Sequence, residues 1–135
     1  MNKLTIYTDG GARGNPGPAA IGVVIYGPGE NPIKQRGKYI GNATNNQAEY
    51  KALIEGLAEA HLQGASEVAC FLDSELVVRQ LNGQYKVKEP ELQNLITEVF
   101  RLSNKFIKVK FEHVGREKNK LADKLVNEAL DKAGF

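Results

Sequence analysis

The stretch TNNQAEYKALIEGLAEAHLQGASEVACFLD (residues 44–73) decides the fold. Thr44 followed by Gln47 has the capping-box pattern, and Tyr50, Leu53, Ile54, Leu57, Ala58, His61 and Leu62 then recur at helical spacing until Gly64. The spacing predicts a helix over about 45–63. Glu67 to Leu72 follows as a short apolar strand. Parallel neighbours in a sheet need this kind of long helical connection.

Upstream of this unit the pattern has period two. Lys3 to Thr8 places Leu4 and Ile6 on one side with Thr5 and Tyr7 on the other, and Ile21 to Tyr26 is a β-branched apolar run. The connection GGARGNPGPAA (10–20) is so dense in Gly and Pro that it reads as a loop. GPGENP (27–32) is a second turn signal, and Ile33 to Ile40 reads as a third, more exposed strand. Short connections predict an antiparallel meander of these three strands.

Downstream, Ser74 is placed to cap a short helix carrying Val77, Val78 and Leu81, closed by Gly83. Pro90 opens another helix with Leu92, Leu95, Ile96, Val99 and Phe100 on one face. Ile107, Val109 and Phe111 alternate with Lys108, Lys110 and Glu112 as a fifth strand. A last helix from about Asn119 turns Ala122, Leu125, Val126 and Ala129 inward and ends near Gly134. The order βββαβααβα predicts an α/β fold: a mixed five-stranded sheet, three strands antiparallel and then two parallel, flanked by helices.

With 135 residues, 41% hydrophobic and 25% charged, the chain fits one domain over 1–135 with a real core. No apolar run approaches the ~20 residues that span a bilayer, and MNKLTIYTDG opens a strand rather than a signal peptide. The expectation is a soluble, cytoplasmic protein without a membrane partner, and by default a monomer. The single cysteine, Cys70, lies in an apolar run and excludes an internal disulfide framework and a cysteine-based zinc site; it reads as a buried structural thiol. Net charge is only +2, yet from Arg101 to Lys124 eight Lys or Arg face three acids. Such clustering suits a polyanionic partner, although a solvated face has the same composition.

The chemistry lies in four acids. Asp9 closes the first strand and Asp73 the fourth, so parallel neighbours would bring both carboxylates to the C-terminal edge of the sheet, where open α/β sheets place ligands. Glu49 falls near the start of the first helix and Asp123 in the first turns of the last. Any one of them could be a helix-start charge or an Asx turn. Gathered at one point they would repel by about 4 kcal/mol per pair at ~4 Å, which favours divalent cations, and hard oxygen ligands select Mg²⁺ or Mn²⁺ over zinc.

Four segments carry a resemblance: TDGGARGNPGPAAIG, TNNQAEYKALIEGL, LDSELVVRQLNG and HVGREKNKLADKLVNEA. In this order and context they resemble the type 1 ribonuclease H family over nearly the whole chain. The resemblance implies an endoribonuclease that cuts the RNA strand of RNA/DNA hybrids with two Mg²⁺ ions, Mn²⁺ being a substitute, and leaves 3′-hydroxyl and 5′-phosphate ends. Asp9 would bridge both ions, Asp123 would help hold the ion that activates water, and Glu49 and Asp73 would hold the ion on the leaving side. His113 matches the family's mobile histidine, which assists proton transfer or product release. Asn15, Asn45, Asn46 and the backbone at Gly10 and Gly11 match positions that contact RNA 2′-hydroxyls, and Thr44 matches a DNA-phosphate position that also caps the helix. Asn15 before Pro16 also has the look of a turn residue, and Asn45 of a helix-start residue.

The sequence departs from the family in the region of its basic protrusion. Only Asn82 to Pro90 stands there, and the chain has no Trp; Leu76 occupies an often aromatic position, and Asn42 one that is commonly arginine. The resemblance is therefore to a short form with weaker hybrid affinity, for which Lys86, Lys88 and the basic C-terminal third compensate in part, and cleavage of double-stranded RNA stays open. Two other readings compete. A hybrid-binding module without catalysis would be expected to have lost an acid. A DNA nuclease of the same broad fold, such as an integrase or resolvase, is disfavoured by the TDGG and TNNQAEY segments.

Overall fold

The computed structural model describes residues 2–135. Its elements run β1 (Lys3–Ala12), β2 (Gly17–Tyr26), β3 (Pro32–Ala43), α1 (Asn45–Leu62), β4 (Glu67–Leu72), α2 (Glu75–Leu81), α3 (Pro90–Ser103), β5 (Lys108–His113), a 3-10 turn (Arg116–Lys118) and α4 (Lys120–Lys132). The sheet order is β3-β2-β1-β4-β5, antiparallel through β3, β2 and β1 and parallel from β1 to β4 to β5, as the element order predicts. No helix among the described residues is long and apolar enough to cross a membrane.

Local signals fix the helix starts. The Thr44 hydroxyl accepts the Gln47 N–H at 3.1 Å while Gln47 Oε1 accepts the Thr44 N–H at 2.9 Å, a complete capping box. Ser74 Oγ accepts the Val77 N–H at 3.3 Å at the start of α2.

α1 packs on one face of β1 and β2, with α3 beside it, and α4 packs on the opposite face across β2, β3 and β1. The α1 side holds the main core, where Leu4, Ile6, Val23, Tyr50, Leu53, Leu57, Val68 and Leu72 meet. Full burial of such side chains contributes about 1.5–3 kcal/mol each. Cys70 is wholly buried in this core, as a structural thiol should be, and burial pushes its proton affinity far above the ordinary thiol range.

The glycine- and proline-rich connection differs from the expected loop. β1 continues through Ala12 and β2 begins at Gly17, leaving only Arg13 to Pro16 as a turn, closed by the Arg13 N–H on Pro18 O at 2.8 Å. Small residues pair with small ones across this extension, Gly11 with Ala20 and Ala12 with Ala19. The glycines serve close packing: a Cβ on Gly10 would stand 2.2 Å from the Ala48 carbonyl.

Three expected inward residues are exposed: Leu62 at 79%, Phe100 at 42% and Ile107 at 76%. Leu62 is the last residue of α1 and Ile107 precedes β5, so both lie beyond the packed part of their elements. On α3 the stripe turns toward Leu102, which is buried in place of Phe100. His61 is exposed and meets Phe106 edge-on, with ring centroids 6.0 Å apart.

Candidate active site

The last parallel rung between β1 and β4 joins Thr8 to Leu72. Asp9 and Asp73 are the next residues on the two strands, so their carboxylates leave the sheet side by side. Asp9 does not end its strand, as the sequence suggested; β1 continues along β2 alone, with Asp9 opposite Gly22. Glu49 reaches the same point from α1, where Gly10 lets the helix backbone touch β1. One oxygen each of Asp9, Glu49 and Asp73 lies within 4.8 Å of the others. Asp123, on the first turn of α4, is exposed and stands outside this trio, but it lines the same cleft.

Burial dominates the electrostatics here. It lifts the Asp9 carboxyl from 3.8 to about 7; the close approach of Glu49 works against the shift, and the charges of Asp73 and Asp123 add to it. Burial, followed by the charge of Asp9, holds Glu49 well above the ordinary carboxylate range. Glu49 Oε1 accepts the Gly10 N–H at 3.0 Å, whereas Oε2 is buried with no hydrogen-bond partner among the described residues. A buried carboxylate oxygen without a donor, set among two more carboxylates, fits a hard divalent cation, which would supply the missing positive charge.

The cleft over the acids measures about 670 Å³ and is also lined by Gly10, Gly11, Asn45 and Asn46. The neighbouring loop is tied down by the asparagines: Asn45 Oδ1 accepts the Ala12 N–H at 2.9 Å, and Asn15 Oδ1 accepts the Asn45 N–H at 3.0 Å. Both therefore hold the turn and the helix start while their amide N–H₂ groups remain as donors. The Gly10 N–H is committed to Glu49. Asn15, Thr44 and His113 are not among the residues that line the cleft. His113 is exposed at the end of β5, opposite Leu72 and so one position from Asp73.

Several lining residues escaped the sequence reading as site residues. Arg13, Ser74, Arg116, Glu117 and Lys120 border the cleft. Arg116 and Lys120 belong to the basic C-terminal third, and that charge run was their only signal. The sequence marks Asn119 only as the start of the last helix. Its side chain instead makes no cap bond and donates to Thr8 O at 2.9 Å and to Asp73 Oδ2 at 3.0 Å. The connector after α2 holds no extra helix; its Tyr85 ring centroid lies 5.6 Å from the guanidinium of Arg79 in the last turn of α2, which donates to the Tyr85 hydroxyl at 3.2 Å.

Comparison with known proteins places this geometry. The family model described as Reverse transcriptase-like matches residues 7–129. The bifunctional protein Rv2228c of Mycobacterium tuberculosis is 45% identical over 97% of this chain and 36% of its own length, so the chain spans about a third of that relative. A ribonuclease H of Chromohalobacter salexigens is 38% identical over 97% of this chain and 86% of its own. Among solved structures, LC11-RNase H1 in complex with an RNA/DNA hybrid superposes with a TM-score of 0.91 at 49% identity, covering 96% of this chain and 98% of the other.

Proposed function

Because this chain belongs to the type 1 ribonuclease H family, we propose that it is a metal-dependent endoribonuclease that hydrolyses the RNA strand of RNA/DNA hybrids. The observation that carries the reading is the trio Asp9, Glu49 and Asp73, the first two buried and the third half-buried, with one Glu49 oxygen left for a cation, in an open cleft. Asp9, Glu49 and Asp73 would hold one Mg²⁺, and Asp9 with Asp123 a second. Bound Mg²⁺, or Mn²⁺ in its place, would supply positive charge for in-line attack of water on the phosphodiester, giving 3′-hydroxyl and 5′-phosphate ends.

The remaining work falls to the chain's own groups. The amide N–H₂ groups of Asn15, Asn45 and Asn46 would donate to RNA 2′-hydroxyls, which DNA lacks. Since Asn45 and Asn15 already hold backbone N–H groups through their oxygens, these donors are presented without further ordering cost. Arg116 and Lys120, on the cleft rim, would draw the phosphate backbone in, and Thr44 would meet the deoxy strand. His113 would assist proton transfer or product release.

The complex of LC11-RNase H1 with a hybrid supports the substrate class. Double-stranded RNA is a second candidate substrate, because the short connector from Asn82 to Glu89 offers a single aromatic ring, Tyr85, to a deoxy strand. The test is cleavage of 5′-labelled RNA annealed to DNA or to RNA, with Mg²⁺, Mn²⁺ or EDTA, alongside Asp9→Asn. Cutting of the hybrid that requires the metal and disappears in the variant is expected. Hybrid binding without cutting would turn the reading to a binding module.

A further inference from the structure

Asn119 directly precedes α4, the position from which an asparagine ordinarily caps a helix. Here the residue is 1% exposed, and the side chain turns inward. Its Nδ2 donates one hydrogen to Thr8 O at 2.9 Å and the other to Asp73 Oδ2 at 3.0 Å. Its Oδ1 is buried and has no partner among the described residues. The residue thus forgoes a cap and leaves an acceptor unsatisfied, both of which destabilise the fold, while it fastens a carboxylate.

The three places it joins are those that set the site. Thr8 is the last residue of β1 paired to β4, and Asp9 follows it. Asp73 follows β4, and Asp123 lies on the first turn of the helix that Asn119 introduces. One carboxamide therefore ties β1, β4 and α4 together at the points where Asp9, Asp73 and Asp123 emerge. With Oδ2 of Asp73 held by Asn119, Oδ1 is left clear of that bond. Outer hydrogen-bond partners of this kind orient ligating carboxylates and raise metal affinity.

We propose that Asn119 is a positioning residue, its carboxamide holding Asp73 and the end of β1 in the arrangement that binds the divalent cation. This rests on the reading of the acidic trio as a metal site. The role predicts that metal affinity falls further than stability, because Asn119→Leu also removes the orphaned Oδ1, which offsets part of the cost of leaving the Thr8 carbonyl without this donor.

The experiment compares the full chain with Asn119→Leu and Asn119→Ala by Mn²⁺ and Mg²⁺ titration calorimetry, by melting in EDTA, and by kcat and KM on a hybrid across metal concentrations. Asn119→Leu is expected to melt within a few degrees of the unchanged protein in EDTA and to bind metal ten- to a hundredfold more weakly. Turnover should recover as metal is raised, with KM for the hybrid little changed. Asn119→Ala supplies the metal titration should the leucine variant fail to fold. Metal affinity within twofold of the unchanged protein in a folded variant would overturn the assignment. If the unchanged protein itself bound no cation, both the metal-site reading and this assignment would fall, and that outcome is distinguishable because it needs no variant.

Discussion

Gly22 and Ala122 meet backbone to backbone: a Cβ added to Gly22 would stand 2.2 Å from the Ala122 carbonyl oxygen. Gly22 is also the antiparallel partner of Asp9. The turn of α4 that carries Asp123 is thus seated on the strand residue directly across from the central acid. Gly10 does the same on the other face of the sheet, where an added Cβ would stand 2.2 Å from the backbone of Ala48, the residue before Glu49. Two glycines, Gly10 on β1 and Gly22 on β2, set how closely two acid-bearing helices approach the sheet.

Gly22→Ala should therefore shift α4 and Asp123 with it, since the obstruction is backbone and cannot rotate away. A loss of about 1–3 kcal/mol in urea unfolding is expected, together with reduced turnover. Gly29→Ala is the control, because a Cβ there meets nothing within 4 Å. Equal stability of the two variants would contradict the close docking of α4.

The Asp9 carboxyl, raised from 3.8 to about 7, gives the metal-free protein a definite pH dependence. A raised acid binds its proton more tightly in the folded state. Its contribution is fully present below about 3.8 and is lost as pH rises through about 7, by at most on the order of 4 kcal/mol. Glu49 acts in the same direction. Melting in EDTA should therefore occur at a lower temperature at pH 8 than at pH 5.5, and Asp9→Asn should flatten the difference. Mg²⁺ should restore stability at pH 8; a melting temperature that climbs from pH 5.5 to 8 without metal would refute the account.

Thr44→Ala removes one half of the capping box that starts α1. About 1 kcal/mol of stability should be lost, with Thr44→Ser recovering most of it. Because the next residue, Asn45, anchors the Ala12 N–H, KM for the hybrid should rise along with the fall in stability. A variant with unaltered stability would show that the cap is idle in solution.

His113 is exposed and lies outside the cleft lining. His113→Ala should leave stability within about 0.5 kcal/mol and slow turnover roughly ten- to a hundredfold without abolishing it. Loss as deep as that in Asp9→Asn would assign it a larger part than proton uptake or release.

Lys86 and Lys88 are exposed on the connector after α2. Replacing both by Ala should weaken hybrid binding and make the slope of log K against log salt shallower by about 2 if each meets one phosphate. An unchanged slope would place the hybrid elsewhere. Nanomolar affinity of the unchanged protein at physiological salt would contradict a weakened deoxy-strand platform.

Features that depend on near neighbours were legible in the sequence. The capping box at Thr44 and Gln47, the Ser74 cap, the alternation in β1 and β5 and the strand-helix order all rest on contacts a few residues apart or on residue periodicity, and they gave the sheet topology and the ends from which the acids project. Positions that depend on distant partners were not legible in the same way. The Gly-rich run reads as a loop because glycine's freedom is its usual signal, whereas only Gly14, at φ 100°, uses that freedom in the turn and Gly10 instead permits helix docking.

The sequence by itself determined which acids could meet, by placing them at strand ends and helix starts, and it determined the mixed sheet that brings those ends together. Only the tertiary structure decided how they meet. The Gly10 bond to Glu49 spans 39 residues and the Asn119 bond to Thr8 spans 111, so no local pattern contains either. Which Glu49 oxygen lacks a donor, and whether Asn119 caps its helix or turns inward to hold Asp73, follow from packing between segments that are remote in the chain.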